Sequence, residues 1–274
     1  TARELAELMV GSELPQPTTH GDTRRPEVTL SLKDVSVPTK SGSRDLISHI
    51  SFDLQAGEVI GIAGVEGNGQ AELVEAIMGL REYTGQIEFK GENIDHYTVA
   101  HRHDAGIGLI PEDRQRQALM MNSPLWENRI LGHQRSKPVM RGFILDKKAT
   151  IADTRVIMDE FDVRAPGPHT LATALSGGNQ QKFIVGREMS KAPALLVASH
   201  PTRGVDVGAQ AAIWDELRSA REKGMAIVLI SADLEELIGM SDRLLVMLRG
   251  AITAELNPQK TTPEQLGSAM TGAQ

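Results

Sequence analysis

The sequence has no cysteine and few aromatic residues, which make up 3% of its 274 positions. Without cysteine the chain can form neither a disulfide bond nor a thiolate metal site, which fits a cytosolic protein. The scarcity of stacking rings and the net charge of −7 argue against a nucleic-acid-binding surface. No apolar run approaches the roughly 18 residues of a membrane-spanning helix, and no apolar signal segment follows Thr1. A hydrophobic fraction of 40% is ordinary for a globular protein.

Two short segments near the ends of the chain resemble each other. Five positions of residues 1–11 have counterparts at the same spacing in residues 262–272, with a Glu matched by a Gln: Thr1, Glu4, Leu5, Met9 and Gly11 against Thr262, Gln265, Leu266, Met270 and Gly272. Self-similarity of this kind indicates a repeat. We expect residues 1–11 to be the tail of an upstream copy of the same domain, and the missing initiator Met fits a cut fragment. Chance similarity between two short helices is the alternative.

Residues 12–27 are rich in Pro, Thr and charge, and this composition predicts a linker. A single domain is then expected over 28–274, in which short apolar strands alternate with helices. Predicted strands cover 28–32, 50–54, 58–63, 85–91, 194–198, 226–231 and 244–248, and predicted helices cover 71–80, 179–189, 209–223, 233–239 and 262–272. This alternation predicts an α/β fold with a mostly parallel core sheet. We expect an antiparallel β layer and a mainly helical subdomain at about 114–190.

A glycine-rich loop follows the predicted strand 58–63 and precedes a helix, as a phosphate-binding P-loop does. Its glycines fit the pattern G-x-x-x-x-G, but the Lys and the Ser or Thr that should come next are Gln70 and Ala71. Gln cannot neutralise phosphate charge, and Ala cannot bind Mg²⁺. The loop is therefore either a P-loop that has lost its chemistry or an unrelated glycine turn. The candidate nucleotide-binding residues are Gly64, Glu66, Gly67, Asn68, Gly69, Gln70, Ala71 and Glu72.

The run LSGGNQQK at 175–182 places a serine and two glycines before a helix. A helix N-terminus offers unpaired N–H groups and a partial positive charge, and therefore holds anions. Gly177 and Gly178 allow close approach of the main chain, and the Ser176 hydroxyl adds a donor. An ordinary Ser-Gly-Gly loop is the alternative.

LSGGNQQK resembles the signature motif of ABC-type ATPases, and the order of motifs from Val28 to Gly272 resembles such a domain throughout. The resemblance is greatest to the second, degenerate domain of tandem ATPases of nucleoside and sugar importers. It implies that the signature residues Leu175, Ser176, Gly177, Gly178 and Gln180 face the ATP of a partner domain, with Asp206 in the D-loop between the sites. It also implies that the family's catalytic groups are replaced in this chain at four positions: Glu112, Ser199, His200 and Ala232.

The resemblance implies a division of labour between two domains. The upstream ATPase domain would hold ATP and Mg²⁺, whereas this chain's own site would bind ATP weakly or not at all, with no metal. The other implied partners are transmembrane permease subunits and, indirectly, an extracytoplasmic substrate-binding protein, which would place the chain at the cytoplasmic face of the plasma membrane. Residues 64–70 of the glycine loop resemble the nucleoside branch of the family more than the sugar branch, and this resemblance favours nucleoside import. A soluble ABC-type ATPase and a purely structural or regulatory domain are the alternatives.

A few further residues are distinctive. We interpret His101, His103 and Asp104 as a solvated loop rather than a metal site, and Glu235 and Glu236 as part of a solvated helix face. Trp214 is predicted to lie in the core. The segment 132–143 and three large side chains before it are candidates for the contact with membrane subunits: Met120, Met121 and Trp126. For each of these three side chains taken singly, ordinary core packing is the favoured interpretation.

Overall fold

The computed structural model describes residues 16–18, 21–39 and 45–272. The N-terminal member of the internal similarity, residues 1–11, therefore lies outside the described residues. Its C-terminal counterpart forms a helix that begins with a capping box between Thr262 and Gln265. Within the described ranges, no helix combines the length and apolar character that crossing a membrane requires.

The strands are β1 (Val28–Pro38), β2 (Asp45–Gln55), β3 (Val59–Ala63), β4 (Thr84–Phe89), β5 (Glu92–Asn93), β6 (Ile107–Ile110), β7 (Met140–Arg141), β8 (Ile144–Leu145), β9 (Leu195–Ser199), β10 (Ala226–Ile230), β11 (Arg243–Leu248) and β12 (Ala251–Leu256). The α-helices are α1 (Gln70–Met78), α2 (Val99–Ala105), α3 (Leu125–Asn128), α4 (Lys147–Glu160), α5 (Gly177–Met189), α6 (Val207–Glu222), α7 (Leu234–Met240) and α8 (Pro263–Thr271). A π-helical turn covers Arg114–Ala118, and 3₁₀ turns cover Ala172–Ala174 and Pro258–Lys260.

The central sheet has six strands in the order β12-β11-β3-β10-β9-β6. All neighbouring pairs are parallel except β11 with β12 at one edge. Every residue of β3, β9 and β10 is buried, because helices or a second sheet cover both faces of a parallel sheet. The predicted α/β fold with a mostly parallel sheet is confirmed.

A second, antiparallel sheet has the order β2-β1-β4-β5 and forms the expected antiparallel layer. Two apolar layers enclose the central sheet because successive side chains of a strand point to opposite faces. In β10, Val228 packs toward the antiparallel sheet and α1, whereas Ile227 and Leu229 pack toward the helices on the other side. This arrangement fixes the central strands, and with them the loops at their carboxyl ends.

The structure differs from the sequence prediction in several places, and the strands β5, β6 and β12 were not predicted. The region 114–190 contains the helical elements expected there, but also the short β7–β8 hairpin. His101 and His103 lie in helix α2 rather than in a loop. Glu236 is fully buried, so the solvated interpretation is wrong for it. Its Oε1 accepts hydrogen bonds from Thr202 Oγ1 and from Nε1 of the buried Trp214, both at 2.7 Å, which offset part of the cost of burial.

Candidate functional site

The carboxyl ends of the parallel strands meet at one edge of the central sheet, where α/β proteins bind their ligands. The glycine loop follows β3, Glu112 follows β6, Ser199 ends β9 and Ala232 follows β10. These segments surround a cavity of about 330 Å³. The topology therefore brings together residues that are far apart in the chain.

The glycine loop runs from Gly64 to the start of helix α1. Gly67 and Gly69 have φ values of 87° and 108°, a left-handed conformation that favours glycine. Asn68 connects the loop to the turn after β11, because its Oδ1 accepts a hydrogen bond from the Arg249 N–H at 2.8 Å. The first N–H groups of α1 have no partner within the helix, so the backbone geometry of an anion site is present.

The side chain of Gln70 folds back onto this loop. Its Nε2 donates to the Val65 carbonyl at 3.2 Å, and the same carbonyl accepts the Asn68 N–H at 3.1 Å. A Cβ atom added to Gly64 would lie 2.3 Å from Gln70 Nε2, which could move, and 2.8 Å from the Met247 carbonyl oxygen, which belongs to the backbone, so a larger residue would strain this position. A neutral amide thus closes the loop at the position where a P-loop carries a lysine.

The charges around the cavity do not favour a polyphosphate. Three carboxylates line it, from Glu66, Glu112 and Asp233, whereas Arg203 is the one lysine or arginine among the lining residues that the structure describes. Arg203 is already ion-paired with Glu112. Phosphate groups entering this cavity would meet net negative charge.

His200 lies at the turn after β9 in a left-handed conformation, with φ of 50°. Burial lowers its pKa below the ordinary value, while the carboxylate of Glu112 opposes this shift and Arg203 reinforces it. The imidazole is therefore neutral at pH 7. Because Nδ1 accepts the Ala232 N–H at 3.2 Å, the ring proton lies on Nε2. His200 thus offers a hydrogen-bond donor at Nε2 and not a general base.

The segment 112–114 is joined to the segment 203–206 that follows β9. Arg114 donates to the carbonyls of Arg203 at 2.6 Å and Gly204 at 3.2 Å. A Cβ atom on Gly177 would lie 2.7 Å from an Arg114 guanidinium nitrogen and 3.0 Å from the Gly204 carbonyl oxygen. The loop before α5 therefore packs on both segments, and glycine permits the contact.

Ser176 is the N-cap of α5, with its Oγ accepting the Asn179 N–H at 3.4 Å. Ser176 is exposed, whereas Leu175, Gly178 and Gln180 are buried. Gln180 Nε2 donates to the carbonyls of Ala172 at 3.1 Å and Leu175 at 3.3 Å. The buried members thus fix the shape of the loop, while the serine faces outward and does not line the cavity.

The structure brings together part of the predicted set. Gly64, Glu66, Gly67, Gln70 and Ala71 line the cavity together with Glu112, Ser199, His200 and Ala232, whereas Asn68, Gly69, Glu72, Asp206 and the signature residues do not. Sequence reasoning did not assign Thr202, Arg203, Gln210, Ser231 or Asp233 to the site. Most of these follow the carboxyl ends of predicted strands, and that position was the available signal.

Residues 47–203, more than half of the chain, match the family described as ABC transporter. The chain is 41% identical over 98% of its length to the guanosine import ATP-binding protein NupO of Bacillus subtilis, and covers 53% of that protein. It is 39% identical over 99% of its length to the nucleoside import ATP-binding protein NupA of Lactococcus lactis, covering 54%. The glucose import ATP-binding protein TsgD13 of Haloferax volcanii is 38% identical over 98% of this chain, which covers 49% of it. The chain thus spans about half the length of these curated relatives.

Solved structures show the same fold. An ATP-binding cassette of an ABC transporter in its ADP conformation superposes with a TM-score of 0.70 at 21% identity, over 89% of this chain and 95% of the other. A dimeric ATP-binding cassette bound to ADP and phosphate superposes with a TM-score of 0.71 at 19% identity, over 85% and 100% of the two chains. At this level of identity the likeness concerns the fold, and it confirms the P-loop ATPase architecture expected from the sequence.

Proposed function

Because the chain belongs to the ABC transporter family, we propose that it is the second, degenerate ATP-binding domain of a tandem importer motor for nucleosides. In this proposal residues 28–274 form the domain, with a helical subdomain at about 114–190, and residues 1–27 belong to an upstream domain and its linker. The chain's coverage of about half of NupO and NupA supports a tandem arrangement. The internal similarity between 1–11 and 262–272 supports it independently.

The observation that carries the proposal is the contrast between the cavity and the signature loop. The cavity has the neutral Gln70 where phosphate charge needs neutralising, Ala71 where a hydroxyl would bind Mg²⁺, and three carboxylates in its lining. Loss of a single transition-state donor costs on the order of 3 kcal/mol, or roughly a hundredfold in rate. We therefore expect this site to bind ATP weakly or not at all and to hydrolyse it poorly.

The signature loop, residues 175–178, differs from the cavity because its serine faces solvent. Ser176 is exposed at the N-terminus of the thirteen-residue helix α5 and lies outside the chain's own cavity. Its hydroxyl and the adjacent N–H groups are therefore available to a γ-phosphate held by a facing domain. Mg²⁺ and ATP belong to that partner's site in this proposal, and Asp206 lies in the loop that couples the two domains.

The substrate follows from the relatives. NupO and NupA are named for guanosine and nucleoside import, so we propose nucleosides, carried by transmembrane permease subunits and delivered by a binding protein. Sugar import is the second candidate, because the glucose import protein is nearly as similar at 38% identity. The chain would act at the cytoplasmic face of the plasma membrane, and the segment 132–143 would contact the permease.

ATP turnover of the chain alone and mixed with the separately expressed upstream domain tests this division of labour. We expect no appreciable Mg²⁺-dependent hydrolysis by the chain alone and clear turnover in the mixture. Brisk hydrolysis by the isolated chain would contradict the proposal. A mixture no more active than the upstream domain alone would contradict it as well.

Two substitutions assign the roles within the mixture. Ser176→Arg should abolish turnover because the bulky side chain enters the space of the partner's γ-phosphate, whereas Gln70→Lys should change it little. Ser268→Arg, at an exposed serine of α8, is the matched control and should leave turnover unchanged. Full turnover in Ser176→Arg would show that the signature loop serves no active site.

A further inference from the structure

Three residues from distant parts of the chain converge beside the C-terminal end of α5. His103 lies in the last turn of α2, His133 follows α3, and Glu188 lies in the last turn of α5. Their potential ligand atoms all lie within 4.8 Å of one another. His103 Nε2 is 3.6 Å from Glu188 Oε2, and the two imidazole rings are edge to face with centroids 4.8 Å apart.

Several buried polar atoms in and beside this group have no hydrogen-bond partner among the described residues. His133 is 1% exposed, and neither of its ring nitrogens has a hydrogen-bond partner among the described residues. His103 Nδ1 and one terminal nitrogen of the neighbouring Arg129 are buried without a partner as well. A buried polar atom left unpaired costs about 1–3 kcal/mol, so the unpaired ring nitrogens indicate a bound species, whereas the Arg129 nitrogen is a donor and needs an acceptor such as water.

The surroundings distinguish between classes of metal. Arg187 donates to Glu188 Oε1 at 2.9 Å and leaves Oε2 facing the imidazoles. Arg187, Arg129 and Lys191 lie close to the group, and their positive charge opposes every divalent cation alike, so the choice among metals rests on the ligand types. Mg²⁺ and Ca²⁺ depend most on charge, and this group offers them a single carboxylate. These ions also prefer oxygen ligands, whereas two imidazoles and one carboxylate suit zinc and its first-row neighbours.

We propose that His103, His133 and Glu188 form a site for a divalent transition metal, of which Zn²⁺ is the best fit, with water in the fourth position. Tetrahedral zinc ligands lie about 3.3–3.6 Å apart, so the His103–Glu188 pair already has this spacing, and the wider pairs must approach by about 1 Å. The ion would tie α2 and the segment after α3 to the far end of the signature helix α5. This inference does not depend on the proposed transport function.

Titration of the EDTA-treated chain with Zn²⁺ by calorimetry tests the site, with Co²⁺ absorption reporting the ligand geometry. We expect one ion per chain, the visible absorption of tetrahedral Co²⁺, and a melting temperature raised by roughly 5 °C at a hundredfold excess over Kd. His103→Gln should weaken binding about tenfold or more. His101→Gln is the matched control, because His101 is exposed two residues earlier in the same helix, and it should bind as wild type.

His103 is only partly buried, so its variant keeps the test valid if His133→Gln does not fold. Equal Zn²⁺ affinity of wild type and His103→Gln would overturn the proposal. The absence of any Zn²⁺-dependent rise in melting temperature in the wild-type chain would overturn it too, and would assign the unpaired nitrogens to buried water.

Discussion

The carboxylate of Asp206 lies directly against the backbone of Gly178. A Cβ atom on this glycine would be 2.9 Å from Asp206 Oδ2 and 3.0 Å from the Ala209 Cβ. The other carboxylate oxygen, Oδ1, accepts the Ala209 N–H at 2.9 Å and caps α6. The loop before α5 and the loop before α6 are therefore packed as one unit, and a shift in one must move the other.

Substitution of Gly178 should disturb this unit. Gly178→Ala forces the new methyl group against Asp206 and Ala209, and we expect a loss of about 1–3 kcal/mol in the free energy of unfolding. Gly208→Ala is the control, since its Cβ would be an ordinary 3.4 Å from Asp206 Oδ1 and alanine favours the helix. Urea denaturation of both variants measures the difference. Equal stabilities would show that the close contact does not constrain the loop.

The ion pair between Arg221 and Asp242 should stabilise the folded state far more than the nearby pair between Arg218 and the exposed Asp215 does. Arg221 is 2% exposed and donates from Nε and a terminal nitrogen to Asp242 at 3.1 and 2.5 Å. Arg221→Met leaves the carboxylate of Asp242, which is 13% exposed, without its counter-charge, and this should cost up to about 3–5 kcal/mol.

The control is Arg218→Met in the same helix, because Arg218 pairs with the exposed Asp215. This variant should lose less than about 1 kcal/mol. Thermal unfolding of the two variants side by side gives the comparison, and similar losses would contradict a dominant role for the buried pair.

Glu236 should make stability depend on pH. Burial raises its pKa above the ordinary 4.5, although hydrogen bonds from Ser231, Trp214 and Thr202 oppose the shift. The folded state thus retains the proton at pH values where the unfolded state has lost it. Stability conferred by the protonated carboxyl group is present below pH 4.5 and declines as the pH rises through the folded pKa, by at most about 1.4 kcal/mol per pH unit.

Glu236→Gln removes this titration while keeping the shape of the side chain. The free energy of unfolding of wild type relative to Glu236→Gln should therefore fall between pH 4 and pH 8. Denaturation curves at matched ionic strength measure it. A difference that stays constant over this range would mean that Glu236 is ionised in the folded state.

The tip of the β7–β8 hairpin carries the fully exposed Phe143. Phe143→Asp should leave the free energy of unfolding within about 0.5 kcal/mol of wild type, because the side chain packs against nothing. If the segment 132–143 contacts the permease, the same change should weaken co-purification with the membrane subunits. Leu80→Asp, at an exposed leucine after α1, is the control. Equal co-purification of both variants would place the contact elsewhere.

The sequence by itself determined the local features of this protein. The apolar runs predicted β3, β9 and β10 because a strand covered on both faces has no polar side. The spacing of Gly64 to Gly69 predicted the phosphate-type loop, and the identities of Gln70 and Ala71 predicted its missing chemistry. Helix α5 was anticipated because a serine and two glycines precede a polar, helix-compatible stretch, a local pattern that is readable without knowledge of the fold.

Only the tertiary structure decided which distant residues meet. The order β12-β11-β3-β10-β9-β6 is not contiguous in the chain, and no local pattern specifies it. This topology buries Glu236 against Trp214 and brings His103 to His133 and Glu188. Periodicity shows which face of a helix is apolar, but a polar side chain on a predicted surface becomes buried or charge-paired only through the element that packs on it.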